Sequence, residues 1–243
     1  MTIAKLHQLL DVLKFEGMTQ VIDQLMADAE KNATSTSQVI ADLLEQELRY
    51  RKERSLINRI KNAAMPHDWS LTTFPFSLQP AIDKRQIMDL ANIDFIRRGE
   101  SIVLIGPPGT GKTGLAIGLL REALVSGCRG RFYNVQDLLN DLYASLADRS
   151  TPKLLKHLSR FDILVLDELG YLTLNAEQSN AFFKLMAERY QAGKPTIITT
   201  NLDYPDWYSL FDTKNMLDAL LDRLQHRCVT IHIKGQSLRK KRE

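Results

Sequence analysis

The sequence predicts an α/β fold: a parallel β-sheet with helices on both faces, built around a phosphate-binding loop and preceded by a small all-helical domain. Three observations carry this. From about residue 81 onward, short apolar or β-branched runs alternate with stretches long enough for helices, the pattern of a parallel sheet covered on both sides. Gly106-Pro107-Pro108-Gly109-Thr110-Gly111-Lys112-Thr113 matches G-x-x-x-x-G-K-[ST] and sits between such a run and such a helix. Before residue 65, apolar residues keep helical spacing. The expected division is a helical N-terminal domain over 1–65, a linker over 66–80 and a nucleotide-binding domain over 81–243.

Ile3, Leu6, Leu9, Leu10 and Leu13 share a helical stripe, and Met18, Val21, Ile22, Leu25 and Met26 continue it past Gly17. Thr34-Ser35-Thr36-Ser37 interrupts the pattern. Ser35 with Gln38 makes a capping box for a longer helix through Val39, Leu43, Leu44 and Leu48. Three helices of this size bury little apolar surface alone, so the segment is expected to pack on a partner, another copy or the main domain. Pro66, Pro75 and Pro80 with Trp69, Phe74 and Phe76 mark the linker, which either lies against a nucleotide base or is anchored by burial.

In the main domain a helix at about 81–97 precedes the strand Ser101-Ile102-Val103-Leu104-Ile105. Next come a helix over 112–126, a strand over 130–135, helices near 136–147 and 151–159 and a strand over 162–167. The pattern closes with a helix over 175–192, a strand over 195–200, a helix near 215–226 and a strand over 228–233. Beyond Asn201 the chain has one helix, one strand and a tail, which leaves no room for a C-terminal helical lid.

The chain has 243 residues, 44% of them hydrophobic, enough for one sizeable domain and a smaller one. A net charge of +3 is too small to define a partner; its distribution matters more. Cys128 and Cys228 are far apart and lack metal-ligand spacing, which reads as free thiols in a reducing compartment. The N-terminus leads into an amphipathic pattern and not a signal peptide. No apolar run approaches the ~18–20 residues of a membrane helix. A soluble, cytoplasmic protein without a membrane partner is expected.

The glycines of the loop let backbone N–H groups close around phosphate oxygens, and the adjoining helix adds its positive N-terminal end. Gly106, Pro107, Pro108, Gly109, Thr110, Gly111, Lys112, Thr113 and Gly114 form this candidate nucleotide cradle. Lys112 reaches β- and γ-phosphates in such loops, and the Thr113 hydroxyl ligates Mg²⁺. Ile163-Leu164-Val165-Leu166 ends in Asp167-Glu168, two carboxylates at the C-terminal end of a buried strand, where open α/β sheets bind ligands. Asp167 is the candidate to hold Mg²⁺ with Thr113, and Glu168 the candidate general base for an attacking water. An acidic surface turn is the plainer alternative. Asn201 comes after Thr196-Ile197-Ile198-Thr199-Thr200 at another strand end, to orient water, touch a γ-phosphate or simply form a turn.

This order resembles the AAA+ ATPases: Walker A, Walker B ending Asp167-Glu168, then a sensor Asn201. The Leu6–Leu13 stripe, Leu166-Asp167-Glu168-Leu169-Gly170-Tyr171, Thr199-Thr200-Asn201, Leu220-Leu221-Asp222-Arg223-Leu224 and Gly235-Gln236-Ser237-Leu238-Arg239 narrow it. Together they look like the IstB-type transposition helper ATPases, relatives of bacterial helicase loaders. Two residues depart from that pattern: Leu238 stands where many helpers carry an aromatic, and Gly114 where a larger residue is usual. The resemblance implies ATP and Mg²⁺ as cofactors and a homo-oligomer with ATP between subunits. It further implies a neighbour's arginine at the γ-phosphate, with Arg223 the matching position and Arg227 the second choice. A solvated or salt-bridged helix arginine is the alternative for both.

Arg49, Arg51, Lys52 and Arg54, with Arg59 and Lys61, crowd one helix that suits a phosphate backbone or is a solvated basic face. Lys153, Lys156 and Arg160, with Arg149 and His157, form a second cluster, and the resemblance places it facing DNA inside an assembly. Arg239-Lys240-Lys241-Arg242 reads as a basic tail. No recognition-helix pattern is visible, so duplex DNA would be bound largely without sequence preference. The resemblance implies delivery of that DNA to a transposase, an activity associated with the nucleoid. The alternatives are a helicase loader and, with no substrate pocket or arginine-bearing lid in view, a small-molecule phosphotransferase.

Overall fold

The computed structural model of the chain describes residues 3–171, 173–211 and 213–239. Lys240-Lys241-Arg242 of the basic tail lie outside the described residues. The chain divides into two compact units, Met1–Asn58 and Arg59–Glu243.

The first unit is helical: α1 (Ile3–Leu13), α2 (Glu16–Thr19), α3 (Ile22–Asn32) and most of α4 (Thr36–Ala63). Leu10, Met18 and Ile22 form its small core, with Leu6, Phe15, Met26 and Leu43 packed around them. A four-residue helix leaves most of its backbone donors without a partner of its own. The Glu47 carboxylate of α4, only 5% exposed, accepts two of them, from Gly17 N–H at 2.8 Å and Met18 N–H at 3.1 Å. Arg51 completes the arrangement, 2.6 Å from Glu47 and stacked over Phe15. Glu16 accepts from Tyr50 at 2.5 Å and Arg54 at 2.7 Å. Gly17 is required here, because a Cβ would stand 2.6 Å from Tyr50 Cβ and 3.0 Å from Glu47 Cα. The capping box expected at Ser35 is half formed. Ser35 Oγ accepts from Gln38 N–H, but the Gln38 side chain reaches forward to Asp42 and not back to the cap.

In the second unit five parallel strands run in the order β2-β3-β4-β1-β5: β1 (Ser101–Ile105), β2 (Gly130–Asn134), β3 (Ile163–Leu169), β4 (Thr196–Thr200) and β5 (Cys228–His232). The helices are α5 (Lys84–Ala91), α6 (Asp94–Arg98), α7 (Lys112–Val125), α8 (Val135–Ala147), α9 (Thr151–Leu158), α10 (Ala176–Gln191) and α11 (Lys214–His226). Alternate strand residues Val103, Ile105, Leu164, Leu166 and Ile198 share a core with α8 to α11. Buried α7 packs on β1 to β4, with α5 beside it. Arg189 of α10 is 1% exposed and ties the sheet to its helices. It donates to Thr196 Oγ1 and to the carbonyls of Leu158, Phe161 and Pro195 at 2.6–3.0 Å. Burial pulls its pKa down to about 10.

The single helix expected over 81–97 is two helices. Ile93 takes a left-handed conformation at φ 59°, which a β-branched side chain gives no warning of. Residues 66–80 are built into this unit: Leu71 and Phe74 are buried, and the Trp69 ring lies 3.4 Å from where a Cβ on Gly114 would stand. The small residue after Thr113 thus makes room for the indole. After β4 the described residues hold a 3-10 helix over Tyr204–Ser209, α11, β5 and a run over 233–239 outside any helix or strand, and among them there is no helical lid. No helix among the described residues is long and apolar enough to cross a membrane.

Glu47→Ala leaves the Gly17 and Met18 N–H groups without their acceptor, and is expected to cost about 1–3 kcal/mol. Thermal denaturation followed by circular dichroism should show a lowered melting temperature; an unchanged one would contradict the role given to Glu47.

Candidate functional site: a phosphate-binding cavity at the sheet edge

Parallel strands place all their C-terminal ends on one edge, and there β1, β3 and β4 end in the residues singled out by the sequence. β1 runs into the loop Gly106–Gly111, which opens α7 at Lys112. Gly109 and Gly111 adopt φ of 80° and 96°, the left-handed region that favours glycine. Thr110 Oγ1 donates to Pro107 O at 2.8 Å and closes the loop on itself. Lys112 Nζ donates to Gly106 O at 2.7 Å and Pro107 O at 2.9 Å. Burial pulls its pKa below the ordinary lysine value, against the opposing pull of Asp167 and Glu168.

Asp167 is 5% exposed. Its carboxylate accepts from Thr199 Oγ1 at 2.6 Å and from Thr113 Oγ1 at 2.9 and 3.1 Å. Burial pushes its pKa up; the two hydroxyls hold it back. Thr113 and Asp167 therefore offer converging hard oxygen donors of the kind Mg²⁺ takes. With only these two protein donors, the remaining positions would fall to phosphate oxygens and water.

Glu168 departs from strand geometry: φ is 64°, and the β3–β4 register shifts between Leu166 and Leu169. A non-glycine residue there is strained by about 1–3 kcal/mol. The bend exposes the Glu168 side chain beside buried Asp167. Thr199 Oγ1 fixes it by accepting Glu168 N–H at 2.9 Å, and Asn134 Nδ2 donates to Glu168 Oε2 at 2.9 Å. Asn201 Oδ1 is buried without a hydrogen-bond partner, and a Cβ on Gly170 would stand 2.9 Å from it. Lys112, Thr113, Asp167, Glu168 and Asn201 line one cavity of about 730 Å³, together with Trp69, Asn134 and Arg239.

Two residues here were not singled out by sequence, Asn134 and Thr199. Asn134 Oδ1 also caps α8 through Gln136 N–H, so in sequence it is an ordinary N-cap; Thr199 reads as β-branched strand filler.

Arg223 is not brought to this cavity. It lies with Tyr190, Thr196 and Ser101 at the starts of the strands, its Nη1 donating to Ala219 O at 3.0 Å. The Ser101 N–H donates to Arg227 O, which fixes Arg227 at the same edge. A five-residue strand spans roughly 16 Å, so neither arginine reaches its own chain's loop. Of the basic residues, Arg51 and Arg54 are engaged with Glu47 and Glu16, while Arg49 and Lys52 face solvent. Lys153, Lys156 and Arg160 are exposed on and after α9, whose Leu155 and Leu158 are buried.

The family model described as IstB-like ATP binding protein matches residues 8–243. The chain belongs to that family. An insertion sequence IS21 ATP-binding protein of Pseudomonas aeruginosa is 35% identical over 98% of this chain and 89% of its own length. One from insertion sequence IS232 of Bacillus thuringiensis is 32% identical over 95% and 92%. Among solved structures, the DnaC helicase loader superposes with a TM-score of 0.58 at 26% identity, over 68% of this chain and 96% of its own. AMPPCP-bound DnaA from Aquifex aeolicus gives 0.58 at 17%, over 70% and 51%, a likeness of fold. The IstB-like chain is thus an ATP-binding protein with an AAA+ P-loop core, in the context of insertion sequences.

Thr199→Val removes one of the hydroxyls on buried Asp167 and leaves Glu168 N–H unpaired. A loss of about 1–3 kcal/mol is expected in urea denaturation, with Thr199→Ser close to wild type. Equal stability of all three would remove Thr199 from this account.

Proposed function

We propose that this IstB-like protein hydrolyses ATP and uses the cycle to assemble on and leave duplex DNA, which it delivers to a transposase. One observation carries the catalytic part: five residues from two strand ends and the start of α7 converge on the cavity with complementary chemistry. In this reading, the loop amides and Lys112 hold the β- and γ-phosphates. Thr113 and Asp167 hold Mg²⁺, which would neutralise charge on the phosphates. Glu168 takes the proton from the attacking water as its oxygen bonds to the γ-phosphorus. The bond to the bridging oxygen breaks, leaving ADP and phosphate. Asn201, which lines the same cavity, orients that water.

The position of Arg223 supports a homo-oligomer. A γ-phosphate in this cavity could meet Arg223 only from a neighbouring copy, through a head-to-tail contact. In other NTPases such an arginine contributes about 10³–10⁵ in rate. Exposed Arg49 and Lys52, with Lys153, Lys156 and Arg160, are the proposed contacts to the DNA backbone. The work of such a protein is cytoplasmic, on the nucleoid. The likeness to the DnaC helicase loader supports a second reading, a loader that grips a helicase.

Sizing of the purified protein with and without ATP, on duplex and single-stranded DNA, separates the two. Large ATP-dependent particles on duplex DNA alone support the helper. Assembly only on single strands or with a helicase supports the loader.

Lys112→Ala should lose ATP binding. Glu168→Gln should keep it and lower turnover by about 10²–10⁴-fold, and normal turnover by that variant would refute the base assignment. Arg223→Ala should likewise be slow. An equal mixture of Arg223→Ala and Glu168→Gln should regain about a quarter of wild-type turnover, because one head-to-tail contact in four unites an intact cavity with an intact arginine. No recovery would argue against donation between subunits.

A further inference from the structure

The chain does not leave the sheet after β5. Ile233 N–H donates to Ile105 O at 2.7 Å, and its carbonyl presses on Gly106 where a Cβ would be. Ser237 packs in the same way on Gly109, and Leu238 N–H donates to Gly109 O at 2.8 Å. Leu238 Cδ1 lies 3.1 Å from the Cβ position of Gly111. Gln79, fully buried, donates to Gln236 O at 2.6 Å, and Gly235 passes so close to its side chain that a Cβ there would force Gln79 to shift. Residues 233–239 thus form a strap over the phosphate loop. It touches all three loop glycines and is held by a buried side chain of the segment before α5.

The strap ends at Arg239, whose N–H donates to Ser237 Oγ at 3.2 Å and whose side chain lines the same cavity as Lys112. Among the described residues Arg239 has no ion pair. Two cations therefore face one cavity. Their mutual repulsion is felt at Lys112, where the charge of Arg239 adds to burial in lowering the pKa. Such a pair is satisfied by a polyanion lying between them, and a guanidinium is the group best shaped for phosphate oxygens.

We infer that Arg239 binds the phosphate chain of the nucleotide in cis, carried there by the strap over residues 233–239. The inference rests on the reading of this cavity as an ATP site. The tail thereby supplies a phosphate contact from an element without helical structure, already seated on the loop through Leu238 N–H and Gly109 O.

The test is titration of a fluorescent ATP analogue and of its ADP counterpart into wild type, Arg239→Ala and Arg239→Lys, with the melting temperature of each protein free of nucleotide. Arg239→Ala is expected to weaken both nucleotides by about ten- to hundredfold. Arg239→Lys should recover part of the loss, because the charge remains while the fork is gone. All three nucleotide-free proteins should melt together. Wild-type affinity in Arg239→Ala overturns the inference and leaves the cavity reading intact. Weakening accompanied by a lower nucleotide-free melting temperature, unrelieved by lysine, also overturns it, since Arg239 would then only hold the tail in place. No binding of either nucleotide by wild type defeats the cavity reading, and this inference with it.

Discussion

A carboxylate almost out of water organises this fold. Asp167 keeps its place at the end of β3 because hydroxyls from two other elements donate to it, Thr113 at the start of α7 and Thr199 in β4. An isolated charge there would be costly, and each donor lowers that cost. The three segments are thereby fixed to one another at the edge where the strands end. Thr199 also accepts the Glu168 N–H and so holds that residue in its left-handed bend. Removing the hydroxyl would disturb a buried charge and a strained backbone together, which is why a threonine inside a strand bears on a loop two elements away.

The opposite edge is built on the same logic with the sign reversed. Arg189 is a buried cation, and it is satisfied entirely by neutral acceptors: one hydroxyl and three carbonyls. It closes the end of α9, the turn after it and the entry to β4. The two edges differ in what they leave exposed. The C-terminal edge keeps an open cavity with titratable groups in it. At the N-terminal edge Arg223 and Arg227 lie beside Tyr190. A rigid sheet holds these two faces at a fixed separation.

Much of this was legible in the sequence, for local reasons. The phosphate loop and the acids of β3 announce themselves because glycine spacing and an apolar run ending in carboxylates are contiguous patterns. The alternation of strands and helices pointed to the parallel sheet for the same reason. What stayed hidden depends on residues whose second role appears only in three dimensions. Asn134 is a helix cap and also a donor to Glu168; its sequence context shows only the cap. The break at Ile93 has no glycine, asparagine or proline at that position to mark its backbone. Gly17 and Gly118 read as ordinary helix positions, yet Tyr50 and Leu71 occupy the space their side chains would need. The strap over 233–239 comes after the last predicted strand and has no periodicity to betray that it turns back over the loop.

The fit of Trp69 against Gly114 has a spectroscopic consequence. The chain has two tryptophans. Trp207 is wholly buried in the core, its Nε1 donating to Leu202 O. Trp69 lies on the first turn of α7 and borders the cavity. Intrinsic emission therefore divides into a constant background from the interior and one indole whose surroundings change with whatever occupies the loop. The native protein carries its own optical probe, and a phenylalanine at position 69 supplies the blank.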